Sequence, residues 1–378
     1  MTKKIERFLA ERKPATPCLV MDLDVVADNY RRLRTAVPRA GIYYAVKANP
    51  HPSILNVLAK LGSSFDTASV AEIDMALATG ISADKISYGN TIKKKSDIAE
   101  AYARGVKLYA FDSEAELGKI AEAAPGSRVF CRILTSGANA DWPLSRKFGC
   151  DVEMAKKLLI EAAKRNVVPY GVSFHVGSQQ RDPGQWDAAV AEAAWLFREC
   201  EENGVTLSML NIGGGFPTRY RRTVPGMQAY GAAIDESLRQ HFGNRIPSEI
   251  IVEPGRQMVG SAGMIQTEVV LISKKSEDDA KKWVYLDIGK FGGLAETMDE
   301  AIQYPITAPA HRTGAPVSVA IAGPTCDSAD ILYEKADYKL PNDLEIGDKL
   351  EIRAAGAYTT TYASVAFNGF EPLKTYVI

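Results

Sequence analysis

The chain has 378 residues, 46% hydrophobic and 24% charged, and its 45 lysines and arginines nearly balance 46 aspartates and glutamates for a formal net charge of −1. This balance argues against nucleic acid or anionic lipid as a partner, because proteins that bind them usually carry excess positive charge. The five cysteines include no C-x-x-C pair and the four histidines form no metal-binding motif, which indicates reduced thiols in a cytoplasmic protein and no metal site.

The N-terminal segment, Met1 to Lys13, is basic and is interrupted by Glu6 and Glu11, unlike a signal peptide. No apolar run in the chain reaches the roughly 18 residues that a membrane span requires. The following segment, Pro14 to Met21, is strand-like. We therefore expect a soluble protein with a strand near its N-terminus.

Short β-branched or aromatic runs then alternate with amphipathic stretches. The predicted strands are Ile42–Val46, Ser64–Asp66, Ile86–Gly89, Lys107–Phe111, Val129–Leu134, Gly171–His175, Leu207–Ile212 and Ile250–Glu253. Helical spacing of apolar residues marks the segments between them, and Gly62, Gly80, Gly105 and Gly204 close four of these segments as C-caps do. Eight such units predict a (βα)8 barrel of parallel, buried strands.

After Glu253 the helical periodicity fades. Runs at Ile265–Ile272, Trp283–Ile288, Val317–Ala322 and Lys349–Ala354 are separated by turn-forming residues and predict an antiparallel β domain. Because Pro14 to Met21 can pair into it, both chain ends would build this domain. The sequence thus predicts a barrel over residues 22–255 and a β-sandwich or β-barrel domain over residues 1–21 and 256–378.

Polar residues stand where the predicted barrel strands end, which is where barrel enzymes place their chemistry. They are Lys47, Asp66, Asn90, Asp112, Arg132, His175, Gly213–Gly215, and Glu253 with Arg256. A purely structural barrel has no reason to bring so many ionisable groups together, because they would repel one another or lose solvation. A nearby charge run, Lys93–Lys95, is better explained as a solvated face.

The three glycines Gly213, Gly214 and Gly215 let the backbone approach an anion, although a tight turn explains them equally well when they are taken alone. Their position favours phosphate, since loops after strands seven and eight are a frequent phosphate site in barrels. Arg256, in the segment Glu253–Arg256, could clamp the same phosphate. No Walker-type Gly-Lys-Ser motif is present, which favours a phosphorylated cofactor or sugar over a nucleoside triphosphate.

Lys47 ends a buried apolar strand, and an amine in that position can form a Schiff base with an aldehyde. A phosphate site, such a lysine, and a carboxylate facing a pyridine nitrogen are what pyridoxal 5'-phosphate (PLP) requires. Glu253 is the candidate carboxylate. His175 is expected to contact the cofactor, plausibly by stacking on its ring, with a general-base role left open. Ser178 could hydrogen-bond the phosphate.

Several ordered motifs resemble a known family. They are Tyr44–Asn49, Phe65–Ser69, Phe174–Ser178, Gly213–Pro217, Glu253–Arg256, Gly323–Asp327 and Gly356–Thr359. From about Pro17 to the C-terminus, the chain resembles the alanine-racemase-fold PLP-dependent decarboxylases. Within them it is most similar to the ornithine decarboxylases, with the bifunctional lysine/ornithine enzymes nearby.

The resemblance implies decarboxylation of L-ornithine to putrescine and CO2, with L-lysine to cadaverine as a second reaction, in a head-to-tail homodimer with shared active sites. Lys47 would hold PLP, Glu253 would pair with its pyridine nitrogen, and His175 would stack on its ring. The other implied cofactor residues are Asp66, Glu72, Arg132, Ser178, Gly213, Gly214, Gly215, Gly255, Arg256 and Tyr358.

On the substrate side, the resemblance implies that Cys326 of the partner subunit protonates the α-carbon. Asp327, also from the partner, and Asp299, from the same chain, would hold the distal ammonium, and Tyr358 would lie beside the substrate. Two carboxylates suit an ammonium group. A helix-start role for Asp299 and an inert buried thiol for Cys326 are the structural alternatives. Lys290 and Phe291 depart from the eukaryotic pattern and leave the choice between ornithine and lysine open.

Three other functions are weighed against this one. A racemase would carry Arg opposite the pyridine nitrogen and Tyr in place of Cys326, and a diaminopimelate decarboxylase would need a cation where Asp327 stands. A non-catalytic homologue that binds a regulator would have lost the cofactor residues. Lys47, His175, the three glycines, Glu253 and Arg256 are all present, which favours the catalytic reading.

Overall fold

The structure is a computed structural model that describes residues 2–142 and 147–378. Its strands are β1 (Cys18–Met21), β2 (Ala40–Ala45), β3 (Ser64–Thr67), β4 (Ile86–Tyr88), β5 (Leu108–Phe111), β6 (Arg128–Arg132), β7 (Ala140–Trp142), β8 (Val168–Ser173), β9 (Ser178–Gln180), β10 (Met209–Asn211), β11 (Glu249–Val252), β12 (Gly263–Ser273), β13 (Lys282–Leu286), β14 (Ile306–Thr307), β15 (Pro316–Ala322), β16 (Ile331–Pro341), β17 (Lys349–Arg353) and β18 (Lys374–Val377). Its α-helices are α1 (Lys3–Arg12), α2 (Leu23–Ala36), α3 (Pro52–Lys60), α4 (Val70–Leu77), α5 (Lys95–Ala103), α6 (Glu114–Ala123), α7 (Val152–Ala162), α8 (Trp186–Glu202), α9 (Met227–Phe242) and α10 (Arg256–Val259).

The eight predicted barrel strands form a closed barrel in the order β10-β11-β2-β3-β4-β5-β6-β8. Every pairing in it is parallel, which confirms the (βα)8 prediction. The strands are buried almost throughout because helices cover their outer surfaces. Their inward side chains pack into a cluster of Tyr43, Leu108, Ala110, Phe130, Met209 and Ile251.

A short two-stranded sheet interrupts the strand-helix alternation at the barrel rim. β7 pairs antiparallel with β9 and places Trp142 opposite Ser178. Since β7 and β9 pair with each other, β6 pairs directly with β8 in the barrel. The carboxyl ends of β6 and β8 therefore lie side by side. Arg132 is the last residue of β6, and His175 follows β8.

The remaining strands form one eight-stranded sheet with a main path of β14-β17-β12-β13-β15-β16. β1 joins it by pairing antiparallel with β12 and parallel with β18, so the prediction that the N-terminal strand enters this domain is confirmed. β13 also pairs parallel with β15. The sheet is consequently mixed, whereas the sequence pattern predicted an antiparallel one.

The chain divides into two compact units, a β unit of Met1–Val26, Thr218–Thr223 and Val259–Ile378, and a barrel unit of Ala27–Pro217 and Val224–Met258. In the β unit, α1 packs Ile5 against Cys18, Val20 and Met264, a helix that the sequence pattern did not reveal. Over residues 2–142 and 147–378, none of the helices combines the length and the hydropathy of a membrane span.

The charge run Lys93–Lys95 is solvated only in part. Lys94 and Lys95 are exposed, but Lys93 is buried, and its Nζ donates to the carbonyl oxygens of Asn90 and Ala110, each at 2.6 Å. The same ammonium lies 3.0 Å from the buried carboxylate of Glu116. The expectation of a fully solvated run is therefore wrong at Lys93, because a buried carboxylate and two carbonyls replace its hydration shell.

Candidate active site

Lys47 lies in a short 3-10 turn, Val46–Ala48, directly after β2. Val46 and Ala48 are buried, whereas Lys47 is exposed at the barrel mouth. The Tyr44 hydroxyl donates to the carbonyl of Asn49 at 2.9 Å and braces the turn. The amide of Ala45 donates to the carbonyl of Pro254 at 3.1 Å. The lysine is thus held beside the loop that carries Glu253.

Two carboxylates lie close to Lys47. Asp66, on β3, is buried and accepts a hydrogen bond of 2.9 Å from Ser87, and Glu72, in the first turn of α4, accepts one of 2.7 Å from the Ala68 amide. Burial raises the pKa of both; the charge of Glu253 raises that of Asp66 further, and Lys47 lowers both. Asp66 and Glu72 therefore lie within electrostatic range of Lys47.

His175 follows β8 and is held by two backbone contacts. Its Nδ1 accepts a hydrogen bond from the Gly177 amide at 3.1 Å, and its carbonyl accepts one from Thr135 at 2.6 Å. Burial, together with the charges of Arg132 and Lys47, holds the pKa of His175 well below its usual range. The imidazole is therefore neutral, and because Nδ1 is an acceptor, Nε2 carries the proton.

The glycines after β10 form a cradle that no larger residue could make. Gly213 and Gly215 have φ angles of 69° and 96°, which disfavour side chains. A Cβ at Gly214 would lie 2.5 Å from the Glu253 carbonyl oxygen and 3.2 Å from His175 Nε2. The backbone can therefore approach a ligand closely, as a phosphate group requires. This geometry fits the phosphate end of PLP.

Asn211 links this cradle to Glu253. Its Oδ1 accepts a hydrogen bond of 2.9 Å from the Gly213 amide, and its Nδ2 donates to Glu253 Oε1. The Glu253 amide in turn donates to the Gly213 carbonyl at 2.8 Å. Asn211 is buried at the end of β10. Sequence reasoning gave it no role, although it directly precedes the glycine motif.

The other predicted cofactor residues of the barrel unit lie near the same strand ends. Arg132 is the last residue of β6, where the charges of Glu253, Asp112 and Asp66 act on it, although burial lowers its pKa overall. Arg256 begins α10, just after Gly255, and donates to the Ser178 hydroxyl at 3.1 Å. The barrel unit therefore brings together every cofactor residue predicted from its part of the sequence.

The predicted substrate residues and Tyr358 belong to the β unit. Cys326 and Asp327 are exposed on the loop between β15 and β16, and Cys326 is the exposed one of the five free cysteines. Asp330, which is buried, anchors this loop by accepting hydrogen bonds from the Thr325 hydroxyl at 2.7 Å and the Lys290 amide at 2.7 Å. The loop geometry therefore excludes an inert buried thiol at position 326.

Asp299 is exposed in a turn and has a φ of 52°, so it does not begin a helix. Tyr358 also has a positive φ, 61°, and is half-buried in the segment after β17. Glu300, the neighbour of Asp299, binds the backbone of β16 through three hydrogen bonds. Sequence reasoning missed Glu300, and its place beside a candidate substrate residue was the one available signal.

Comparison with known proteins gives a consistent result. A family model described as "Pyridoxal-dependent decarboxylase, pyridoxal binding domain" matches residues 23–260. A lysine/ornithine decarboxylase of Selenomonas ruminantium is 36% identical over 98% of this chain and 91% of its own length. Antizyme inhibitor 2 of Xenopus laevis is 34% identical over 93% and 78%. The solved lysine/ornithine decarboxylase of Vibrio vulnificus, complexed with cadaverine, aligns with a TM-score of 0.87 at 30% identity, covering 100% of this chain and 99% of that one.

Proposed function

Since the chain belongs to the pyridoxal-dependent decarboxylase family, we propose that it converts L-ornithine to putrescine and CO2, and L-lysine to cadaverine as a second reaction. The relatives from Selenomonas ruminantium and Vibrio vulnificus are both named as lysine/ornithine decarboxylases. The observation that carries the proposal is the mouth of the barrel, where electrostatic interactions couple Lys47, Asp66, His175, Arg132 and Glu253.

In this proposal Lys47 holds the cofactor covalently, and the amides of Gly213–Gly215 bind its phosphate with Ser178, Arg256 and Tyr358. When bound, PLP supplies an aldehyde for the substrate amine and a protonated ring that accepts the electron pair left as CO2 departs. Glu253 would pair with the pyridine nitrogen and keep it protonated. His175 would stack on the ring, and its neutral imidazole would add no positive charge there.

Cys326 is proposed to protonate the α-carbon after CO2 leaves, by moving its thiol proton to that carbon. Asp299 and Asp327 bind the distal ammonium through charge-assisted hydrogen bonds. Both carboxylates are exposed, as groups that must meet a substrate need to be. A substrate with a second carboxylate, such as diaminopimelate, would be repelled there, which favours ornithine and lysine over it.

We further propose a homodimer in which the partner subunit supplies the thiol and the second carboxylate. The segment after Tyr358 exposes apolar side chains, with Tyr362 and Phe370 each 44% and Val365 92% exposed. Large exposed apolar patches mark interaction surfaces. This segment is joined to the thiol loop, since the Cys326 amide donates to Asn368 Oδ1 at 2.8 Å. If a second copy covers this segment, Cys326 would therefore lie at the interface between the two subunits.

Purified protein reconstituted with PLP tests the proposed activity. We expect a visible Schiff-base absorption band and release of CO2 and diamine from ornithine and lysine, with Lys47→Ala as the inactive control. Competition between the two amino acids at equal concentration gives the preference. A colourless protein without turnover on ornithine, lysine or diaminopimelate would favour a binding role like that suggested by the name of antizyme inhibitor 2.

A further inference from the structure

Glu300 and Asp299 form an unusual turn in the β unit. Both are non-glycine residues in the left-handed region, with φ angles of 52° for Asp299 and 57° for Glu300. This backbone conformation costs free energy in residues other than glycine, and it persists only when neighbouring contacts stabilise it. The turn is closed by a hydrogen bond of 3.1 Å from the Ala301 amide to the Met298 carbonyl. Contacts with β16 hold this turn in place.

Those contacts come from a bulge in β16. Tyr333 pairs with Ile321 of β15, and Tyr338 pairs with Val319, so residues 334–337 stand opposite Ala320 alone. The amides in such a bulge lose their cross-strand acceptors. Glu300 replaces them, because Oε1 accepts from the Glu334 and Lys335 amides at 2.7 Å each, and Oε2 accepts from the Ala336 amide at 2.6 Å.

Two cationic side chains bind backbone carbonyl groups of the same bulge. Lys281 donates to the Glu334 carbonyl, and Arg221 donates to the Asp337 carbonyl at 2.7 Å. Partial burial alone would raise the pKa of Glu300, but hydrogen bonds from the three amides and the charge of Lys335 hold it below its usual value. The carboxylate therefore stays ionised, which makes all three hydrogen bonds charge-assisted.

We infer that Glu300 is a positioning residue for substrate recognition: by clamping the turn to the β16 bulge, it fixes the direction in which Asp299 presents its carboxylate. This rests on the proposed role of Asp299 in binding the distal ammonium. The three hydrogen bonds of Glu300 also fix how far the Asp299 carboxylate extends toward the substrate, and so contribute to discrimination between ornithine and lysine.

The test compares Glu300→Ala, Glu300→Gln and a matched control, Glu334→Gln, in the PLP-bound enzyme. Glu334→Gln removes a charge from the same bulge and leaves intact the hydrogen bond from the backbone amide of residue 334 to Glu300. We expect Glu300→Ala to raise KM for ornithine about tenfold, with kcat within about twofold of wild type. The ratio of kcat/KM for ornithine to that for lysine should also change, which general destabilisation would not cause. Glu300→Gln, which keeps one acceptor oxygen, should fall between.

Two further readouts separate positioning from misfolding. PLP affinity should be unchanged in Glu300→Ala, and backbone amide exchange should accelerate in Met298–Ile302 and Glu334–Ala336. An unchanged KM and an unchanged substrate ratio in Glu300→Ala would overturn the inference. So would a raised KM that is accompanied by lower kcat and weaker PLP binding. If wild type itself turns over no basic amino acid, the proposed function fails and the inference fails with it. That outcome is distinct because the defect is already present before any substitution.

Discussion

Asn211 connects the glycine cradle to Glu253, the carboxylate proposed to hold the pyridine nitrogen. Its amide group bonds to both through Oδ1 and Nδ2. Asn211→Ala would leave the buried Gly213 amide and the half-buried Glu253 carboxylate without these partners, which costs about 1–3 kcal/mol. We expect PLP affinity to fall by roughly 5- to 150-fold, measured by fluorescence titration of the cofactor-free protein.

Asn203→Ala is the matched control for that experiment. Asn203 caps the end of α8 and bonds the Glu199 carbonyl at 2.8 Å on the exposed surface. Its substitution should leave PLP affinity unchanged. Equal PLP affinity in Asn211→Ala and wild type would show that Asn211 does not organise the cofactor site.

Lys93 provides a pH-dependent prediction. Burial lowers its pKa to about 8 from the ordinary value of 10.5, although the charge of Glu116 opposes this. Between those pH values the unfolded chain holds a proton that the folded chain has released, so this group's contribution to stability rises with pH. Below about pH 8 both states are protonated and the cost of burying the charge is constant.

The effect is measured as the free energy of unfolding in urea at pH 8, 9 and 10. Wild type should gain about 1–2 kcal/mol over this range relative to Lys93→Met, in which Lys119 still pairs with Glu116. Lys94→Met, at an exposed neighbour, should follow the wild-type slope. Parallel slopes for wild type and Lys93→Met would contradict the prediction.

Among the loops, the glycine cradle allows the sharpest prediction. A Cβ at Gly214 would lie 2.5 Å from a backbone oxygen of Glu253, and backbone cannot move aside as a flexible side chain can. Gly214→Ala should therefore destabilise the barrel unit by about 1–3 kcal/mol and weaken PLP binding more than tenfold, as seen by thermal unfolding and equilibrium dialysis.

Gly226→Ala is the control for the cradle, because a Cβ there meets only Gln228 Oε1, at 3.9 Å. It should bind PLP like wild type. Normal PLP binding by Gly214→Ala would mean that the loop can relax and that close backbone approach is not required.

The barrel strands were predictable because parallel strands buried on both faces are continuous apolar runs, such as Leu108–Phe111. β16 was not predicted, since its bulge breaks the alternation of Ile331–Pro341, whose burial changes irregularly along the strand. β18 was missed because its partner, β1, lies at the other end of the chain. Lys93, Asn211 and Glu300 each also depend on partners distant in sequence, which are Glu116, Glu253 and the backbone of β16, and local patterns do not contain these contacts.

The proposed site residues are divided between the two units of the chain. Apart from Tyr358, the cofactor residues belong to the barrel unit, whereas Cys326, Asp327 and Asp299 belong to the β unit. An enzyme built this way can complete its site within one chain or across two. The apolar segment around Val365, joined to the Cys326 loop, favours completion across two chains.

Subunit mixing distinguishes these arrangements. Lys47→Ala and Cys326→Ala are each expected to lose nearly all production of putrescine. In a mixed dimer with shared sites, one site carries both substitutions and the other carries neither. Random exchange at equal concentrations makes about half of the dimers mixed, so activity should recover to roughly one quarter of wild type. If each site lies within one chain, no intact site can form, and activity will stay at the level of the separate variants even after mass spectrometry confirms exchange.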